Sequence, residues 1–298
     1  MNISTGIVGT TVGPRVHAID ARWLMAYAAA LGDIIPDYVD TGRPGGILGH
    51  PLFPVCYEWP LALDLRAKTL SDEIAVRGVH ATHDLTIHRR PRPGDHLSTT
   101  GVIAAVESRS PGAYVETRFE TVDAAGRPVT TTDYGSLYLG VECDGHPHPG
   151  PLPSRERESE SLSPLGRGKG EGEPPSWSAD LVIPANLAHV YSECARIWNP
   201  IHTDRAVALA AGLPNIILHG TATLALAVSE VLRHQRGGPA LPVARISCRF
   251  AGMVRLPSTL RIEGWAEAVS PGGWMIRFRA LGADGRPAVR DGLIIVAS

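Results

Sequence analysis

The chain has 298 residues, 44% of them hydrophobic and 19% charged, a balance that excludes a disordered or fibrous polypeptide and gives material for two ordinary domains. A formal charge of -2 and a pI near 6.6 give no electrostatic reason for a nucleic acid or an anionic membrane surface as partner. Cys56, Cys143, Cys194 and Cys248 lie far apart with no Cys-x-x-Cys spacing, which argues against a disulfide framework and a structural zinc site.

Residues 1–13 have no basic stretch ahead of an apolar core, and the uncharged window 206–229 is interrupted by Gly212, Pro214, Asn215 and His219, short of the roughly 18 continuous apolar residues that a membrane span needs. The expectation is a cytoplasmic chain without membrane insertion. Asp20 is placed to cap a helix through residues 21–31 that stops at Gly32. Strand patterns rich in β-branched and aromatic residues follow over 85–108, 114–123 and 129–141, separated by Pro-Gly, Ala-Gly and Gly-Arg-Pro turns. Residues 145–178 are dominated by Pro, Gly, Ser and charge; they read as a flexible linker whose ends lie about 30 Å apart on average. Asn199 is then a good helix cap, with Pro200 at the first position and Asp204 in the first turn, of a helix running to Ala211 and Gly212. Residues 221–233, TATLALAVSEVLR, have no polar stripe and predict a buried helix. Strand patterns over 245–250, 258–269, 274–281 and 288–296 close the chain.

The two parts, 1–144 and 179–298, repeat one another. Tyr27 and Pro36 stand nine apart, as do Tyr191 and Pro200, at an offset of 164. Arg92 to Leu97 parallels Arg255 to Leu260 at 163, and Gly126-Arg-Pro-Val129 recurs as Gly285-Arg-Pro-Ala288 at 159. Each unit places helical patterns ahead of an antiparallel meander.

In the second unit, Asn199, Pro200, His202, Ala211, Gly212, His219 and Gly220 match a motif that reads roughly Asp-x-Asn-Pro-Leu/Ile-His, then Ala-Gly, then Ile-x-His-Gly. This resembles the signature of MaoC-like hydratases. The resemblance implies an α+β fold, the double hotdog, in which each unit wraps an antiparallel sheet around a central helix. The N-terminal hotdog (1–144) would be a degenerate half that shapes a substrate tunnel, and the C-terminal hotdog (179–298) would hold the site. It further implies a hydratase or dehydratase, a hydro-lyase acting on a 2-enoyl thioester of CoA or an acyl carrier protein, with no metal and no cofactor. A homodimer is compatible with it.

The same resemblance assigns roles to individual residues. His202 and Asn199 would handle water, and the Gly220 amide, at a helix start, would hold the oxyanion. The family's aspartate falls on Ile197, which has no acid–base chemistry, so Glu193, one helical turn earlier, is the candidate surrogate carboxylate. Arg196, Trp198, His219 and His80 are candidate substrate contacts. His80, His83 and His88 share a strand on which His83 is expected to face away from the other two, and His80 and His88 would lie about 26 Å apart, so no metal is shared. In the first unit, Asp33 aligns with Ile197, Tyr38 with His202, and Gly49-His50-Pro51 with Leu218-His219-Gly220, leaving that unit without a base or a donor amide. The loss at Ile197 makes a non-catalytic thioester binder the main alternative and a thioesterase on the same fold the lesser one.

Overall fold

The computed structural model describes residues 1–144, 174–235, 237–270 and 273–297. Most of the expected linker, 145–173, lies outside the described residues. Its last part does not: the strand β8 already begins at Trp177, so the second unit starts two residues earlier than the composition suggests.

The first unit contains β1 (Asn2–Ser4), β2 (Thr11–Ala18), β3 (Gly78–Ile87), β4 (His96–Arg109), β5 (Gly112–Val122), β6 (Pro128–Leu139) and β7 (Glu142–Asp144). The second contains β8 (Trp177–Ile183), β9 (Val243–Phe250), β10 (Ser258–Ser270), β11 (Gly273–Leu281) and β12 (Pro287–Ala297). Ten of these form one antiparallel sheet in the order β2-β4-β5-β6-β3-β9-β12-β11-β10-β8. From either edge inward the sequence of strands is the same, so the repeat is structural, and β3 pairs with β9 at the seam between the copies. Arg245 crosses that seam, its Nε 2.8 Å from Asp84 Oδ1. This is the double hotdog.

Each copy places one long helix against its part of the sheet. In the second unit it is Gly220–Arg233, buried along nearly its whole length and packed on β10, β11 and β12, as its unbroken apolar composition predicts. In the first it is Pro54–Thr69, packed on β2 and β4. That helix is disguised in the sequence, because Pro60 sits in its interior and Glu58 is buried among apolar neighbours. The shorter helix Ala21–Ala30 is capped as expected: Asp20 Oδ1 accepts from the Trp23 amide at 2.7 Å. It lies against its counterpart Leu187–Ala195.

The helix expected from Asn199 to Ala211 is instead two pieces. A 3₁₀ turn, Pro200–His202, is capped by Asn199, and a separate helix, Arg205–Ala210, is capped by Asp204, whose carboxylate accepts from the amides of Ala206 and Val207. Asp204 is in extended backbone (φ -110, ψ 113), which breaks the helix between them. No described helix is long and apolar enough to cross a membrane.

Candidate active site

A cavity of about 260 Å³ lies between the two units. The second unit contributes Asn199, His202, His219, Gly220 and Phe250; the first contributes the helix stripe Val55, Glu58, Trp59, Ala62 and Arg66 together with His80, Phe119 and Tyr134. The spacing of that stripe, three or four residues per step, puts its members on one face of Pro54–Thr69 over about 16 Å. The second unit thus brings the motif and the first brings the facing wall.

His202 Nδ1 is 2.9 Å from the Ile217 carbonyl, which can only accept, so Nδ1 carries the proton and Nε2 is left with its lone pair. Burial lowers its pKa to about 4, opposed weakly by that hydrogen bond. The cause is therefore desolvation, and not the free amides of a long helix, since the 3₁₀ turn it sits on is too short to have an appreciable dipole. Its ring stacks on His219 at 3.7 Å between centroids. His219 in turn has Nε2 3.1 Å from Ser192 Oγ, and burial holds it neutral with a pKa well below 6.5. Asn199 Oδ1 accepts from the Ile201 amide at 3.4 Å, so its NH₂ remains as the donor.

Gly220 opens its helix, where an amide has no intrahelical acceptor. A Cβ built there would meet the Phe250 ring at 3.3 Å, so the absence of a side chain also serves the close approach of that ring.

Ile197 is buried, 4% exposed, in the cavity wall. Arg196, which precedes it, ends its helix in the left-handed region (φ 59) and turns outward, its guanidinium 4.1 Å from the centre of the Trp23 ring. Trp198 is also at the surface, 58% exposed, and donates from Nε1 to Glu193 at 3.2 Å. The structure therefore does not bring Glu193, Arg196 or Trp198 to the cavity: Glu193 is exposed and engaged with an indole, and helical spacing from Ile197 carried it outward once Arg196 reversed the chain.

His80 does line the cavity, against the rings of Tyr134 (3.9 Å) and Phe250 (4.4 Å). His83 is beside it at 5.4 Å and does not face away as strict alternation predicts. The register of β3 against β6 shifts between His80 and Thr82, and the extra residue in that bulge puts both rings on one face. No group of three metal-ligating side chains occurs among the described residues.

Glu58 and Arg66 are charged-type residues of the cavity that the sequence reading does not single out. Glu58 is 3% exposed and its Oε1 accepts from Thr132 Oγ1 at 2.6 Å; burial raises its pKa to about 8, opposed by that bond. Arg66 lies over the Trp59 ring at 5.3 Å and against the hydroxyls of Tyr134 and Tyr138. Neither belongs to a short motif.

The corresponding place in the first unit is filled by protein. Asp33 is 1% exposed and bonded to Ser229 Oγ and to Arg233. His50 Nε2 is 3.0 Å from the same Ser229 hydroxyl, and burial lowers the His50 pKa to about 3. Tyr38, in the position of His202, accepts from Arg90 at 2.9 Å, and Arg90 also donates to the carbonyls of Gly49 and Pro239. Asp33 is thus bound within this network, as a structural residue.

Comparison with known proteins agrees with this architecture. The MaoC-like domain profile matches residues 172–279, and the FAS1-like dehydratase domain region matches residues 6–132. Enoyl-CoA hydratase 2, peroxisomal, of Arabidopsis thaliana is 38% identical over 72 residues, 24% of this chain and 23% of that protein. A MaoC-like dehydratase from Phytophthora capsici superposes with a TM-score of 0.76 at 20% identity, over 99% of this chain and 97% of that one. A conserved hypothetical protein from Mycobacterium tuberculosis, described as having a double hotdog fold, gives 0.60 at 19% identity, over 97% and 96%. The chain spans only about a quarter of the length of the curated hydratase it matches. With a MaoC-like domain match in the second half, a FAS1-like dehydratase match in the first and a single ten-stranded sheet joining them, the chain has the double hotdog fold and is similar in each half to dehydratase domains.

Proposed function

We propose that this protein adds water reversibly to a 2-enoyl thioester, with His202 as the base, Asn199 as a positioning donor and the Gly220 amide as the oxyanion donor. The observation that carries this reading is His202: a neutral imidazole in a cavity wall, its tautomer held by the Ile217 carbonyl. The thioester carbonyl accepts from Gly220, which polarises the conjugated double bond. Water attacks C3 as His202 Nε2 takes its proton, the enolate oxygen is held by the amide, and the imidazolium returns the proton to C2. With isoleucine at 197, one base makes both transfers, and the water loses a second positioning group.

A relative named as an enoyl-CoA hydratase supports the substrate class, acyl thioesters of CoA, and no part of this sequence of steps needs a metal or cofactor. The reaction is followed as loss of the conjugated enoyl absorbance when purified protein is added to 2-enoyl-CoA esters. Wild-type turnover that His202→Ala abolishes supports the reading; equal rates for the two overturn it. The buried Ile197 favours a second reading, a thioester-binding protein without turnover, which tight binding of enoyl-CoA with no loss of absorbance would establish.

A further inference from the structure

We propose that Arg66 and the indole N–H of Trp59 form an anion site in the cavity, and that it takes the terminal carboxylate of a short dicarboxylic acyl group. This rests on the thioester reading above and names the acyl class.

Trp59 Nε1 is a donor without an acceptor, and Arg66 has hydroxyls for partners but no counter-charge. Trp59 Nε1 can only donate; it is shut from solvent and has no hydrogen-bond partner. Arg66 lies over the same indole at 5.3 Å, donates to the hydroxyls of Tyr134 and Tyr138, and forms no ion pair with any carboxylate among the described residues. A third polar atom of this wall, His80 Nε2, is likewise buried without a partner. Buried donors are nearly always satisfied, so the unpartnered indole N–H beside a guanidinium without a counter-charge calls for an anionic acceptor that arrives with the ligand.

The charge balance points the same way. Among the described residues Glu58 is the sole acidic one lining the cavity, and burial raises its pKa to about 8, so at neutral pH it does not cancel the guanidinium. Arg77 at the exposed rim adds a second positive charge, and His80, His202 and His219 are all held neutral. At neutral pH the cavity therefore carries positive charge and no negative one. A purely hydrocarbon chain would leave the Arg66 charge desolvated and without a counter-charge, which is unfavourable.

The oxyanion amide and the guanidinium line the same cavity. The way from the oxyanion amide to the guanidinium is three ring contacts: Phe250 beside Gly220, His80 on Phe250 at 4.4 Å, and Tyr134 on His80 at 3.9 Å, with Arg66 on the Tyr134 hydroxyl. Both ends of that route line one cavity, as a carboxylate borne on the acyl group itself requires. The carrier's phosphates are removed from the sulfur by the whole pantetheine arm.

Saturated CoA esters, which cannot turn over, provide the experiment. Affinities are measured calorimetrically for length-matched pairs: succinyl against butyryl, glutaryl against valeryl, adipyl against hexanoyl. The wild type should bind at least one dicarboxylic ester about tenfold or more tightly than its partner. Arg66→Met should remove that preference and leave the monocarboxylic affinity unchanged, which also shows that the variant is folded; Trp59→Phe should reduce it. If no pair is discriminated, or the preference survives Arg66→Met, the inference fails while the thioester reading stands. Equal weakening of both members by Arg66→Met would instead place the carrier phosphate on Arg66. Failure of every ester to bind would overturn the thioester reading itself.

Discussion

Tyr27 and Tyr191 are the same residue of the two repeats, and they touch: their hydroxyls are 3.4 Å apart and their ring centroids 5.7 Å. Equivalent positions meet each other only beside a two-fold axis, so the axis relating the units passes between these rings. Away from the axis the two copies diverge. Around Asp33, side chains of both units close the space; around Ile197 a cavity remains.

Removing the network around Asp33 should therefore cost stability and leave chemistry alone. Asp33→Ala strips a buried acceptor from Ser229 and Arg233, although Arg233 keeps Glu230 at 2.7 Å. Breaking a buried pair of this kind costs about 3–5 kcal/mol. Urea denaturation should show a loss near the lower end of that range, with kcat/KM for an enoyl thioester within about twofold of wild type.

Ile197→Asp should do the reverse. It returns a carboxylate to the wall that His202 and Asn199 share, and a positioned acid or base contributes about 10² to 10⁴ in rate. A rise in kcat of tenfold or more, together with a lower melting temperature from replacing a buried isoleucine, is the expected pair of changes. An unchanged kcat in a folded variant would mean that the carboxylate is dispensable here.

Gly220→Ala places a methyl group 3.3 Å from the Phe250 ring and beside the oxyanion amide. Alanine keeps the amide N–H, so the cost comes from the methyl group obstructing the carbonyl's approach, and the 10²–10³ in kcat typical of losing an oxyanion donor is its upper bound. A steady-state measurement should find kcat reduced much more than KM is raised, and thermal stability nearly unchanged.

The pH dependence has a definite sign on each side. Burial depresses His50 to about 3, His83 and His202 to about 4, and, with help from Arg15, His17 to about 4. Each is neutral when folded and takes a proton near 6.5 when unfolded, so the stability they support is complete above 6.5 and falls as pH drops towards 4. Glu58 acts oppositely: raised from 4.5 to about 8, it keeps its proton in the fold and loses it on unfolding, so its contribution is complete below 4.5 and disappears as pH rises to about 8. Thermal denaturation across pH 4–9 should show a maximum near 6.5, and Glu58→Gln should flatten the alkaline side. Activity should hold on the acid side until about 4, where His202 is protonated.

The sheet and the motif are readable in the sequence because they rest on local rules. Alternation marks the strands, turn residues mark their ends, and His202 and Gly220 stand at fixed places around a short loop. Glu58, Trp59 and Arg66 are not readable in this way, since they reach the cavity from the opposite repeat on a helix that Pro60 disguises. The bulge after His80 likewise leaves no trace in residue type, and it alone decides that His83 joins the same face. Glu193 illustrates the converse error: helical spacing from Ile197 is correct only while the helix continues, and it ends at Arg196.

The seam between β3 and β9 has a thermodynamic consequence. Five consecutive residue pairs from Thr82 to Thr86 hold the units in one sheet, and the cavity has walls from both. Neither half can own the site, so polypeptides 1–144 and 174–298 made separately would each present an unpaired sheet edge and half a cavity, and substrate binding would appear only on mixing them. Ligand binding is thereby linked to the joining of the halves, and a ligand that fills the cavity acts as a cross-brace whose binding free energy adds to that of unfolding.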